Sequence, residues 1–355
     1  MDLSQNHRRS IILDCPMPKL DFDVITLGHG SGGLLTHRLL DMGVFSLLQN
    51  EWLDQQHDGA LFTINGQAAM TTDSFVVSPI FFPGGSIGEL AINGTVNDLA
   101  MCGAKPRYLS LAFILEEGLR VDEFWEVLVS IKEACAEAGV AVVTGDTKVV
   151  EKGKGDKIFI NTTGIGEVHP RAAIHIQNVR PGDKVIVSGP IAAHGMAIMS
   201  VREGLEFETS IESDTAALHK PILHLLDSFG PDVHFLRDPT RGGVATVLTE
   251  IAKQAGTGIQ LQQTAIPLDE QVEGACEMLG LDPLYVANEG IFIAIVDASI
   301  AEQALEVLHQ YPVSRHAAII GAVVEEHASQ VVLQSRIGGR RVVNMLPGEQ
   351  LPRIC

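Results

Sequence analysis

Four short segments of this chain set acidic residues among small and apolar neighbours. They are TTDSFVV with Asp73, TVNDLAMCGA with Asn97 and Asp98, TGDTKVV with Asp146, Thr147 and Lys148, and RDPTRGG with Asp238 and Arg241. One aspartate at a strand end is ordinarily a turn or cap residue. Four in apolar surroundings are costly unless each is paired or faces a cation. Grouped carboxylates suit Mg2+, a hard cation that takes oxygen ligands and shares them with substrate phosphates. A metal–phosphate reading and a turn-and-cap reading therefore stand side by side at each position.

GHGSGG, Gly28 to Gly33, matches the GxGxxG pattern literally. The preceding DFDVITL carries Asp21 and Asp23 where a central parallel strand would be apolar, and no βαβ unit with a well-placed acidic residue follows, so a dinucleotide fold fails. What remains is a flexible glycine loop, or a flap whose backbone N–H groups around Gly30 and Gly32 approach phosphates. No GxxxxGK[ST] segment is present, so a nucleotide would be held differently.

The five cysteines, Cys15, Cys102, Cys135, Cys276 and Cys355, show no CxxC spacing, which argues against a disulfide framework and a zinc site. Cys102, Cys135 and Cys276 sit in helical or small-residue surroundings and read as packing. Cys355, in the terminal LPRIC, is different. A carboxylate beside a thiol raises its pKa, and Arg353 offsets part of that, so the sulfur is not activated on its own. Its advantage is reach, because nine extended residues from Pro347 span about 30 Å. His29 and His194 lie in glycine-rich loops and could line a site.

The elements that must position these groups alternate. AAMTTDSFVV, PRYLSLAFILEE, AVVTGDTKVV and KIFINTTGIGEV read as strands, while IGELAINGTVNDLAMCGA and VDEFWEVLVSIKEACAEAG carry helical spacing. The pattern restarts at VRPGDKVIVSGPIAAHG, which places a domain boundary near Arg180 to Asp183. Beyond it DTAALHKPILHLLDSF, GVATVLTEIAKQAG and IAEQALEVLHQ read as helices, and GIFIAIVDA and AAIIGAVVEE as strands. The expected division is a flexible extension over 1–22, a first domain over 23–180, a second α/β domain over 181–346, and a mobile tail over 347–355.

At 355 residues and 46% hydrophobic content the chain can bury two such domains. A formal charge of −19 repels nucleic-acid backbones and anionic membranes, so neither is an expected partner. No apolar run approaches the length of a membrane span. The paired arginines near the start are followed at once by Asp14 and two prolines, so no signal-peptide core forms, and the expected compartment is the cytoplasm.

Taken together, GHGSGG, TTDSFVVSPIFFPGGSIGELAINGTVNDLAMCGAKP, TGDTKVV, FLRDPTRGGVATVLTEIA, ANEG and the terminal PRIC resemble the HypE family of hydrogenase maturation factors, in the AIR-synthetase-like (PurM-like) superfamily. The leading extension and Gly28 depart from that family's pattern. The resemblance implies an α/β (α+β) two-domain fold whose N-terminal domains pair as a homodimer through an intersubunit β-barrel, with ATP bound nearby. It implies ATP-dependent dehydration of a carbamoyl group that the carbamoyltransferase HypF places on Cys355. The resulting cyano group would pass to the HypC–HypD complex for the [NiFe] hydrogenase iron. On this basis Asp73, Asp98 and Asp146 are expected to hold Mg2+. Asn97, Thr147, Asp238, Gly30 and Gly32 are expected around the nucleotide, Lys148 at the transferred phosphoryl or the amide oxygen, and Glu289 of ANEG as the base. Lys148 and Glu289 in structural ion pairs are the alternative. A small-molecule kinase or synthetase of the selenophosphate synthetase or thiamine-monophosphate kinase type would not need Cys355, and a docking scaffold would not turn over ATP.

Overall fold

The computed structural model of the protein describes residues 17, 22–55, 59–204, 210–346, 348, 351 and 353–355. The expected N-terminal extension, with Cys15, lies almost wholly outside the described residues, as do Pro347, Glu349, Gln350 and Pro352 of the tail.

The first half holds helix α1 (Leu34–Leu39) and strand β1 (Ala68–Phe75), then a small hairpin of β2 (Phe81–Phe82) and β3 (Gly85–Ser86). Next come α2 (Ile87–Met101), β4 (Ala104–Glu116), α3 (Val121–Ala138), β5 (Ala141–Val150) and β6 (Ile158–Val168). The sheet runs β1-β6-β4-β5, with β4 and β5 parallel and the other pairs antiparallel. Along β4 the alternate residues Leu109, Leu111, Phe113 and Leu115 are buried beneath the helices, as a one-sided sheet requires. Helix α3 ends at Gly139 (φ +68°), a left-handed position that favours glycine.

Helix α2 is apolar or buried around nearly its whole circumference, the pattern of a helix enclosed by protein rather than lying on a surface. Ser86 caps it by accepting the Glu89 N–H at 3.3 Å. It packs against β1, β6 and α3 and also against the second half, so it is the element both halves share.

The second half holds β7 (Lys184–Val187), α4 (Ala193–Glu203), α5 (His219–Phe229), β8 (Val233–Arg237), α6 (Gly243–Ala255), β9 (Gly258–Gln262) and α7 (Glu270–Leu279). It continues with β10 (Ile293–Val296), α8 (Ala301–Leu308), β11 (Ala318–Val324), β12 (Val331–Gln334) and β13 (Arg340–Val343). Its sheet order is β13-β12-β9-β11-β7-β10-β8, antiparallel except where β12 pairs with β9. Every residue of β10 is buried; the strand is paired on both sides, with β7 and β8.

The helix expected from Asp214 begins instead at His219. The Leu218 N–H donates to Asn97 Oδ1 at 2.8 Å and the Ala216 carbonyl accepts from Asn97 Nδ2 at 2.9 Å, so tertiary bonds hold 214–218 away from helical geometry. Among the described residues no helix is long and apolar enough to cross a membrane.

Candidate active site

The end of β1, the last turns of α2, the start of the loop after β8 and the ANEG segment bring Asp73, Asp98, Asp238 and Glu289 into one acidic group. Asp98 accepts from Thr71 Oγ1 at 2.7 Å, which ties α2 to β1. Asp73 and Asp98 are half-buried, and desolvation raises the pKa of each. Asp238 is raised to about 7 by desolvation first and by the charge of Asp98 second. Glu289 is buried, and desolvation with the charges of Asp238, Asp214, Asp73 and Asp98 pushes it well above the ordinary carboxylate range. Its Oε1 has no hydrogen-bond partner among the described residues. Arg241 beside Asp73, and Arg237 beside Asp98 and Asp238, offset only part of this repulsion.

Such a donor set, oxygen-only and partly unpaired, fits a hard divalent cation shared with phosphate oxygens. The described group whose metal-ligating atoms lie within 4.8 Å of one another is elsewhere: Asp183, His234 and Asp297. There His234 Nδ1 lies 2.8 Å from Asp183 Oδ2, and the Arg180 guanidinium reaches Asp297 at 2.6 Å, so the acceptors are already partnered.

Asn97 takes a different part from the one expected. Its Nδ2 donates to the carbonyls of Ala216 (2.9 Å) and Glu289 (3.1 Å), and its Oδ1 accepts from Leu218 N–H. Both ends of the amide are committed, so it clamps the second half to α2 and fixes the backbone of Glu289.

Asp146, Thr147 and Lys148 stand apart from the acidic group. They sit on β5, at the opposite edge of the sheet from β1. The register runs Asp73–Thr162–Leu111–Gly145 across the four strands, three strand spacings or about 14 Å. Lys148 Nζ pairs with Asp146 at 2.5 Å, and that bond, ahead of the Thr147 N–H, lowers the Asp146 pKa. A cleft of about 220 Å³ here is lined by Gly30, Gly32, Thr36, Phe113, Thr147 and Lys148. At Gly30 a Cβ would stand 2.7 Å from the Val149 backbone nitrogen, so only glycine lets this loop lie against β5. His29 is buried rather than facing the cleft; its Nδ1 accepts from Thr26 N–H at 3.0 Å and its ring packs on Phe22.

The described residues of the tail are seated against the molecule. Val76 N–H donates to the Cys355 carbonyl at 3.2 Å and Ser78 N–H to the Arg353 carbonyl at 3.4 Å, just beyond β1 and Asp73. Leu351 and Ile354 are buried, and Arg353 Nη2 reaches Asp156 at 2.6 Å. Arg202 bonds the carbonyls of Ser78 and Arg353. A cleft of about 300 Å³ beside the tail is lined by Arg241, Thr246, Tyr285, Leu346, Leu351 and Ile354.

Sequence reasoning missed Asp214 and gave His194 no defined part. Asp214 looked like the start of a helix; its carboxylate instead accepts Glu289 N–H at 3.1 Å, and desolvation raises its pKa to about 6. Cys135 and Cys276 are core residues, as expected, but Cys102 is not: it is exposed at the end of α2, where desolvation and the charges of Asp98 and Asp238 raise its pKa.

Two mixed sheets share a buried helix with carboxylates gathered at its end, and both halves match the AIR synthase related class. Residues 56–168 match the AIR synthase related protein N-terminal domain, and residues 180–334 match its C-terminal domain. Carbamoyl dehydratase HypE of Azotobacter vinelandii is 51% identical over 332 residues, covering 93% of this chain and 97% of that one. A crystal structure of hydrogenase maturation protein HypE in complex with ATP superposes with a TM-score of 0.90 at 49% identity, over 93% of this chain and 99% of that one. A HypE–HypF complex structure gives 0.77 at 46% identity, over 88% and 100%. The chain belongs to the HypE family.

Proposed function

We propose that this protein dehydrates a carbamoyl group carried on Cys355, using ATP, to give a thiocyanate. The observation that carries the reading is the seating of Cys355 just past the end of β1, where its carbonyl accepts the N–H of Val76, three residues beyond Asp73. The names of the relatives and the ATP complex of a homologue support it.

In this reading HypF, captured with a homologue in a solved complex, loads the cysteine sulfur, forming S–C(=O)NH2. The amide oxygen takes the γ-phosphoryl of ATP, ADP leaves, and one N–H proton goes to a base, giving an S-bound imidoyl phosphate. Loss of the second N–H proton as the C–O bond breaks releases phosphate and leaves S–C≡N. Oxygen departs easily only as phosphate, which is why ATP is needed. Glu289 is the base: its Oε1 is buried without a hydrogen-bond partner in the acidic group, and desolvation there makes the carboxylate a stronger proton acceptor than an ordinary one. Asp73 and Asp98, with Asp238, would hold Mg2+, which when bound neutralises polyphosphate charge.

Lys148, with Asp146 and Thr147, steadies the transferred phosphoryl from a second copy of the chain. The β1 and β5 edges stand three strand spacings apart, and the open face of the sheet carries exposed Met70 and Ile114. A homodimer joined across that face brings one subunit's Lys148 towards its partner's acidic group. The HypC–HypD complex is the proposed acceptor of the cyano group. Intact-mass spectrometry after incubation with HypF, carbamoyl phosphate and ATP tests the reaction. The tail peptide should gain a carbamoyl mass and then lose one water; a gain that persists unchanged with ATP present refutes the proposal.

A further inference from the structure

Between the seated tail and the ANEG segment lies the first turn of α4, and it bonds to both. On the tail side, His194 is fully buried and its Nε2 lies 2.6 Å from the Ile354 carbonyl. A carbonyl can only accept, so Nε2 carries the proton and Nδ1 accepts from the Ser213 hydroxyl at 2.8 Å. Leu351 packs on the same turn: a Cβ on Gly195 would stand 3.2 Å from Leu351 Cδ1.

On the other side the same turn is stitched to residues 287–290. Ala192 N–H donates to Asn288 Oδ1 at 2.6 Å, and Gly195 N–H to the Ala287 carbonyl at 3.1 Å. The Asp214 carboxylate, next to Ser213, accepts the Glu289 N–H at 3.1 Å; desolvation raises its pKa, and the backbone amides of Gly290 and His194 pull it back in part. The fit is close enough that a Cβ on Gly290 would lie 1.5 Å from the Asp214 carbonyl oxygen.

We propose that His194 is a positioning residue that couples seating of the C-terminal tail to the placement of Glu289, through Ser213 and Asp214. An unseated tail leaves His194 without its carbonyl partner. Ser213, Asp214 and the N–H groups of residues 289 and 290 then lose one of the restraints that hold them. The base is thereby set in place when the cysteine arrives and is looser when the tail is away, as when loading or delivering its cargo. The inference rests on the reading of Cys355 as carrier and Glu289 as base, but its physical content can be measured without either.

Residue-resolved hydrogen exchange on the full chain supplies the test. The amides of Val76 and Ser78 report the tail, and those of Glu289 and Gly290 report the base segment. Ile354→Asp, which charges a buried tail side chain, and His194→Leu, which removes the latch, should each speed exchange about fivefold at both pairs of amides, the scale of one lost buried hydrogen bond. His194→Gln, whose amide can donate to Ile354 in place of Nε2, should restore wild-type exchange at all four. Ser213→Ala, the gentlest change, should raise Glu289 and Gly290 exchange with the fold intact. Faster exchange at Val76 and Ser78 with no change at Glu289 and Gly290 in Ile354→Asp would overturn the coupling. So would wild-type exchange at all four amides in both variants, or a rise spread evenly over the second sheet. A protein that passes this test yet never forms thiocyanate would refute the reaction proposed above and leave the coupling standing.

Discussion

Asn97→Ala separates a clamp from a ligand at the position where sequence and structure differ most. The wild-type side chain makes three hydrogen bonds, all to backbone groups of the second half of the chain, and is 1% exposed. Each is worth about 1 kcal/mol net, the stranding of the Leu218 N–H included, so the loss comes to about 3 kcal/mol. In a chain of this size that lowers Tm by about 6 °C, at about 2 °C per kcal/mol. Asn97→Asp should be worse than alanine: it keeps the acceptor for Leu218 but turns a carboxylate oxygen towards the carbonyls of Ala216 and Glu289. Differential scanning calorimetry gives the stabilities and isothermal titration the ATP affinities. The clamp predicts the order wild type, Ala, Asp in falling Tm, with ATP affinity in the folded alanine variant within about threefold of wild type. A Tm within 2 °C of wild type together with a tenfold loss of ATP affinity would make Asn97 a nucleotide contact and refute this reasoning.

Lys148→Ala should leave Tm within about 1 °C, since an exposed pair is worth little, while thiocyanate formation by the carbamoylated protein falls roughly 10²–10³-fold, the usual cost of losing a charge-stabilising group; quench-flow mass spectrometry reads it. The raised pKa values fix the sign of a pH effect: Asp238 (about 7), Asp214 (about 6) and Glu289 all bind protons more tightly folded than unfolded. Their contribution to stability is therefore full below about pH 4 and is lost as pH rises through 6 to 7. Tm should fall between pH 5.5 and 8 if these groups dominate, and Mg2+ should raise Tm more at pH 8 than at pH 5.5; equal Mg2+ effects at both would contradict the shared carboxylate site. Gly290→Ala should cost more than about 3 kcal/mol, because the new methyl meets backbone that cannot yield; a soluble variant with wild-type Tm would show the close approach to Asp214 to be wrong.

The strands and the two long helices of the first half were legible in the sequence because each rests on a local signal, alternation, a 3.6-residue period or a glycine stop, whereas which acids gather was not, since Asp146 stands apart from Asp73, Asp98 and Asp238. The terminal cysteine was legible because its setting is unlike that of the other four. What could not be read was the allocation of neighbouring polar residues, and Asn97 with Asp98 shows why. Successive residues of a helix point about 100° apart, so one of this pair faces the loop at 216–218 and the other faces Thr71 of β1. Which becomes the clamp and which the carboxylate depends on how α2 is rotated between two layers, and that rotation is set by side chains from both halves at once. The same holds for Asp214. As a string, SDTAALHKP is a helix start; in the fold the helix is delayed by Asn97, and the carboxylate so freed turns to the Glu289 N–H of the ANEG segment. A residue whose part is to hold another residue in place carries no periodicity of its own, so it can be recognised only once its partners, 75 positions further along in this case, are seen beside it.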